Sequence, residues 1–166
     1  YRFLKRVWAF GHLFASELRG KLPAQRKLAS AKLPEELAKL RREIHLILKQ
    51  ANYDLGKQQF NTVASAGMKM LNALEKAPRD SGIAAEVLEE GFGILLRVLS
   101  PITPHIAHTL WAELGYGEDI LAAAWPEPIE AALVQDEIEL VLQVLGKTRG
   151  SVKVPAGAGL RIATNH

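Results

Sequence analysis

The chain has 166 residues, 48% hydrophobic and 23% charged, the balance of an ordinary globular domain, so one core with at most a small appendage is expected. The absence of cysteine excludes disulfide frameworks, thiolate catalysis and cysteine zinc sites, and apolar stretches such as Ile44 with Leu46, Ile47 and Leu48 fall far short of the ~20 residues a membrane span needs. The net charge of +3 hides an asymmetry: residues 1–80 hold 16 Lys and Arg against 7 acids, residues 81–166 hold 5 against 11. A basic leading half points to nucleic acid or an anionic membrane surface, against the plainer reading of solvated helix faces. No basic-then-apolar leader opens the chain, the default compartment is reducing and cytosolic, and a first residue Tyr1 in place of Met reads as a piece of something longer.

In chain order, Phe3, Val7, Phe10 and Phe14, with Leu4, Trp8 and Leu18 beside them, recur at three and four and predict an amphipathic helix over 2–19, stopped by Gly20. Lys21, Pro23, Arg26, Lys27 and Lys32 then make a basic loop. Pro34 suits the first turn of a second helix and Glu35 and Glu36 its positive end; Leu37, Leu40, Ile44, Ile47, Leu48 and Ala51 hold register to about Leu55, and Gly56 breaks it. Phe60, Ala64, Met68, Leu71 and Leu74 predict a third helix ending before Pro78, and a fourth runs from about Ile83 to Leu99. Thr103 as a capping residue and Pro104 as a first-turn proline introduce a fifth, ended by Gly115.

Beyond Gly117 the pattern changes. Residues 118–136 are acidic, broken by Pro126 and Pro128, and read as a connector. Ile138, Leu140 and Leu142 alternate at strand period, Gly146 to Gly150 form a turn, and Ser151 to Val154 alternate again, giving a β-hairpin over 137–156 that needs a partner surface or begins another domain. Residues 157–166 carry no pattern and read as a tail. The expected fold is mainly α: a helical bundle over 1–117 with a C-terminal β-hairpin.

Few residues offer chemistry. His105 and His108 lie three apart, but two imidazoles are too few for a metal and read better as a polar pair at a helix start. Gly146, Lys147 and Thr148 imitate the end of a phosphate-binding loop, yet Val141 stands where its first glycine belongs and no helix pattern follows. Gly91 and Gly93 read as close-packing positions, and Glu89 and Glu90 as a helix face, so no catalytic centre is signalled. What remains is basic surface: Lys39, Arg42 and Lys49 fall opposite the apolar stripe of the second helix, and Arg41 and His45 flank it.

Arg2-Phe3-Leu4-Lys5-Arg6-Val7-Trp8, then Phe60-Asn61-Thr62-Val63-Ala64 with Met68 and Asn72, then Pro101-Ile102-Thr103-Pro104-His105 leading to Leu110-Trp111, and Trp125-Pro126, stand in an order that resembles the helical anticodon-binding domain of class I aminoacyl-tRNA synthetases. The finish, Val141-Leu142-Gln143-Val144 before Gly146-Lys147-Thr148-Arg149-Gly150 and Val154-Pro155-Ala156, is similar to bacterial leucyl enzymes more than to isoleucyl or valyl ones. Leu145 departs from the asparagine usual there, residues after Gly157 leave the pattern, and the HIGH and KMSKS signatures are absent. The resemblance implies a cytoplasmic parent enzyme that joins leucine to tRNA(Leu) with ATP and Mg through catalytic and editing domains outside this segment. The segment itself would hold no cofactor and no catalytic residue, touch no membrane, and dock the tRNA body through phosphate and sugar, contacts that position without reading bases. Lys21, Arg26, Lys27, Arg41, Arg42 and Lys49 are the expected phosphate contacts, with Lys147 and Arg149 as a second group. Phe60, Met68, Trp8 and Trp111 read as core, Asn61 and Asn72 as partners of helix-end or interhelical backbone groups, and His105 as bonding back to a carbonyl. The rival reading from another class is a helical interaction module whose basic face meets an acidic protein.

Overall fold

The structure, a computed structural model, describes residues 1–26, 28–29 and 31–134 in full and residues 137–144 and 147–155 by their backbone. Two compact units divide the chain, Tyr1–Leu133 and Val134–His166. The first is helical: α1 (Arg2–Leu13), α2 (Glu35–Gly56), α3 (Phe60–Lys76), α4 (Gly82–Leu99), α5 (Pro104–Glu113) and the single turn α6 (Glu130–Leu133).

The core lies where these helices meet around α4, which buries residues on nearly every side, among them Leu88, Phe92, Leu95 and Leu99. Each such side chain withdrawn from water contributes about 1.5–3 kcal/mol. Close approach depends on glycines, as the sequence led us to expect. A methyl on Gly91 would sit 2.8 Å from a Leu74 methyl, and one on Gly67 2.9 Å from Leu99.

Among the five longer helices only α4 has a side-chain N-cap. Ser81 Oγ accepts from the Ala84 N–H and opens α4. Thr103 holds the position expected of it before α5, but its hydroxyl donates back to the Leu99 carbonyl and caps nothing in α5. At the other end of α5, Gly115 takes φ +73°, its N–H bonds the Ala112 carbonyl and the Tyr116 N–H bonds the Trp111 carbonyl, a Schellman closure that stacks Trp111 on Tyr116 at 4.8 Å.

Three expectations are corrected. The first helix leaves α geometry at Leu13 and continues as a π turn (Phe14–Leu18) and a 3-10 turn (Arg19–Lys21), a winding that keeps both Phe14 and Leu18 buried. Gly56 is the last helical residue of α2, not its breaker: the reversal is made by Gln58, at φ +59°. Trp8, Phe60 and Met68, expected in the core, are 38%, 49% and 43% exposed, whereas Trp111 is buried. On α3 the inward face carries Val63, Ala66, Gly67 and Met70 as well as the expected Leu71 and Leu74, so only Phe60 and Met68 of the expected stripe's large residues fall on the outer side.

In the second unit, β1 (Glu137–Val144) pairs antiparallel with β2 (Lys147–Pro155). The register runs Glu137 to Pro155 through Leu142 to Gly150, then shifts so that Gln143 faces Thr148. The expected tail over 157–166 lies outside the described residues.

Candidate nucleic-acid interface

The six first-choice cations meet different fates in the fold. Arg41 points inward: its Nε and Nη2 donate to the two oxygens of Glu90 on α4 at 2.9 and 3.2 Å, and its side chain is 11% exposed. Glu90 also receives His45 Nε2 at 2.8 Å, while His45 Nδ1 accepts the Ile129 N–H at 3.2 Å. The backbone donor at Nδ1 means that Nε2 carries the imidazole hydrogen. Burial pushes the Glu90 carboxyl up, but the bonds from His45 and Arg41 outweigh it and hold the group below the ordinary carboxylate value. An arginine so spent has little left for phosphate.

Arg26 donates to Glu89 Oε1 at 3.1 Å on the next residue of α4, with half its side chain in water. Burial pushes Glu89 up despite that partner, so this pair is the looser of the two. Lys21 Nζ donates to the Arg79 carbonyl at 2.5 Å. Arg42 Nε donates to the Leu133 carbonyl at 3.2 Å from the outer side of α2, and Lys49 is exposed on the same side. The structure therefore places Arg42 and Lys49 on one side of α2, Lys21 beside the turn that precedes α4 and Arg26 against the middle of α4. Lys27 lies outside the described residues, as do the side chains of Lys147 and Arg149; on the backbone Arg149 falls at the register shift of β2, where two-residue alternation does not carry through.

The sequence had no means of showing how α2 holds the segment after α5. Asn52 Oδ1 accepts Trp125 Nε1 at 2.9 Å and its Nδ2 donates to the Pro126 carbonyl at 3.1 Å. With His45 on Ile129 and Arg42 on Leu133, three residues of one helix face strap residues 125–133 to the bundle. The expected connector is thus packed on α2 as far as Leu133. Elsewhere Asn72 accepts from the Arg6 guanidinium, which also pairs with Glu75, so its partner is a side chain and not backbone. Asn61 and His105 are exposed, and the carbonyl bond expected of the His105 ring is not among the described contacts. His108 stands 3.6 Å from Asp119. Lys147 and Thr148 lie on a strand, so the Gly-Lys-Thr run opens no helix and does not have the form of a nucleotide-phosphate loop.

Residues 38–164 match the family described as the anticodon-binding domain of tRNA ligase. The chain belongs to that family. Leucine–tRNA ligases from Azoarcus sp. and Aromatoleum aromaticum are 72% and 66% identical to it over 159 residues, covering 95% of this chain and 18% of each relative. The crystal structure of a LeuRS–tRNA–LeuAMS ternary complex of Agrobacterium radiobacter superposes with a TM-score of 0.76 at 25% identity, covering 95% of this chain and 20% of that one. The anticodon-binding domain thus spans less than a fifth of the relatives' length. Among its described residues no helix is long and apolar enough to cross a membrane.

Proposed function

We propose that this anticodon-binding domain belongs to a cytoplasmic leucine–tRNA ligase, beside that enzyme's catalytic and editing domains, and docks the body of tRNA(Leu) while the catalytic domain attaches leucine with ATP and Mg. The observation that carries this reading is 72% identity to a leucine–tRNA ligase across 95% of the chain. On this reading the domain's part is positional: cations neutralise phosphate and fix the register of the RNA. Arg42 and Lys49 are then the leading phosphate contacts, Lys21, Arg26 and Lys27, close in sequence, a second group, and Lys147 and Arg149 a third. Arg41, bound to Glu90, serves the fold. The strand pair after Leu133 is the opening of the domain that follows, a division supported by the compact units meeting there.

Each phosphate contact releases counterions, so binding should fall steeply with salt, by ~0.7–0.9 in log–log slope per contact. The isolated chain is expected to bind tRNA weakly between ~50 and ~200 mM salt with such a slope, and to leave leucine unattached. Leucylation by the isolated chain, or affinity indifferent to salt, would overturn the proposal.

A further inference from the structure

The outer face of α2 has a composition that the phosphate contacts alone do not explain. At 3.6 residues per turn, positions 42, 46, 49, 53 and 57 fall within about 80° of one another and extend for about 22 Å along the axis. They are Arg42, Leu46, Lys49, Tyr53 and Lys57, cations alternating with large apolar groups. Leu46 is 42% and Tyr53 58% exposed, and Lys57 Nζ lies 4.3 Å from the centre of the Tyr53 ring. No acid stands within the stripe. Acids flank it: Glu43 on α2 itself, and Glu127 and Glu130 on the strapped segment.

Leu46 and Tyr53 cannot be explained by the bundle, because the buried face of α2, with Leu37, Leu40, Ile44 and Leu48, points the other way. Two exposed apolar side chains in line on one helix, with positive charge before, between and after them, match a surface with negative charge at regular intervals and weakly polar ground in between. A helical arm of RNA has that character: phosphates along each edge, and across the shallow minor groove the faces of the riboses. The cations are spaced by about 10 and 12 Å, wide enough to address separate phosphates.

We propose that this stripe is the surface on which a double-helical arm of tRNA lies, with Arg42, Lys49 and Lys57 on phosphate and Leu46 and Tyr53 packed against ribose. The inference rests on the tRNA-docking reading above and deepens it by naming Leu46, Tyr53 and Lys57, which were not among the expected phosphate contacts. Lys57, held over the Tyr53 ring, covers one face of it and keeps the ring oriented.

The test uses the full-length parent enzyme and its tRNA transcript, with affinity measured across a salt series. Lys49→Ala and Lys57→Ala should each lower the slope of log affinity against log salt by ~0.7–0.9, and Lys49→Arg should restore it. Tyr53→Ala should weaken binding roughly fivefold with the slope unchanged, while Tyr53→Phe retains affinity, because what is lost is buried apolar area and not charge. All three side chains are at the surface, and a thermal melt of each variant confirms that it folds. If the wild-type enzyme binds tRNA but these variants keep its affinity and slope, the stripe is not the RNA surface and the docking reading stands without it. If the wild-type enzyme does not bind tRNA, the docking reading itself fails. Displacement of the RNA by polyglutamate as effectively as by bulk tRNA would assign the stripe to an acidic protein partner and overturn the proposal.

Discussion

Gln58 shows how a single residue can mislead a reading by composition. The Schellman closure of α2 runs from the Gln58 N–H to the Leu55 carbonyl and from the Gln59 N–H to the Asp54 carbonyl, which puts Gln58 in the left-handed position usually given to glycine. Gly56, the glycine actually present, sits in the last helical position with open space where a Cβ would go. A left-handed backbone costs an L side chain about 1 kcal/mol and a helical glycine costs a similar amount relative to alanine. Two substitutions should therefore each raise stability by up to about 1 kcal/mol: Gln58→Gly and Gly56→Ala. Urea denaturation measures both, and a loss at Gly56→Ala would mean that the glycine does break the helix.

Between elements, the contacts that matter most are polar and run from α2 outward. Asn52, His45 and Arg42 hold residues 125–133, and only His45 of these is fully buried. Asn52→Ala removes the partners of the Trp125 indole and the Pro126 carbonyl and is expected to cost about 1–2 kcal/mol. The Ile129 amide, which donates to His45, reports the strap directly: its hydrogen exchange should quicken in the Asn52 variant while amides inside α4 keep their protection. Unchanged exchange at Ile129 would show that the strap is held by packing alone. Helix periodicity, with the Thr103–Pro104 start and the Gly115 stop for the fifth, placed five helices in the right order. It could not show this strap, since nothing local distinguishes an asparagine bonded to a segment 74 residues away from one facing water.

At the scale of the whole molecule, acid should act on two neighbouring carboxylates in opposite directions. Glu90 is held below its ordinary value, so its contribution is present above the unfolded carboxylate value near ~4.3 and is lost as pH falls through its lower folded value. Glu89 is pushed up, so its ionisation costs stability above the same point and the cost is relieved on acidification. Urea midpoints between pH 7 and pH 3 should therefore fall less steeply for Glu90→Gln than for the wild type, and more steeply for Glu89→Gln. Glu90→Gln should also cost about 2–4 kcal/mol at neutral pH, because it leaves the largely buried Arg41 without its carboxylate. Equal pH slopes in the two variants would remove the asymmetry on which this rests.

The charge imbalance between the halves, the helix order and the family motifs were determined by sequence alone, because each depends on residue type at a fixed spacing and needs no partner. Which cations are held by a buried carboxylate was decided only by the tertiary structure. Arg41 and Arg42 are adjacent in the chain and alike in chemistry, yet 100° of helical rotation turns one onto Glu90 and the other toward the surface. The same rotation hides Ile44 and exposes Leu46 and Tyr53. The small positive charge of the chain is thus divided by the fold into cations that stabilise the bundle and cations that remain available to an anion.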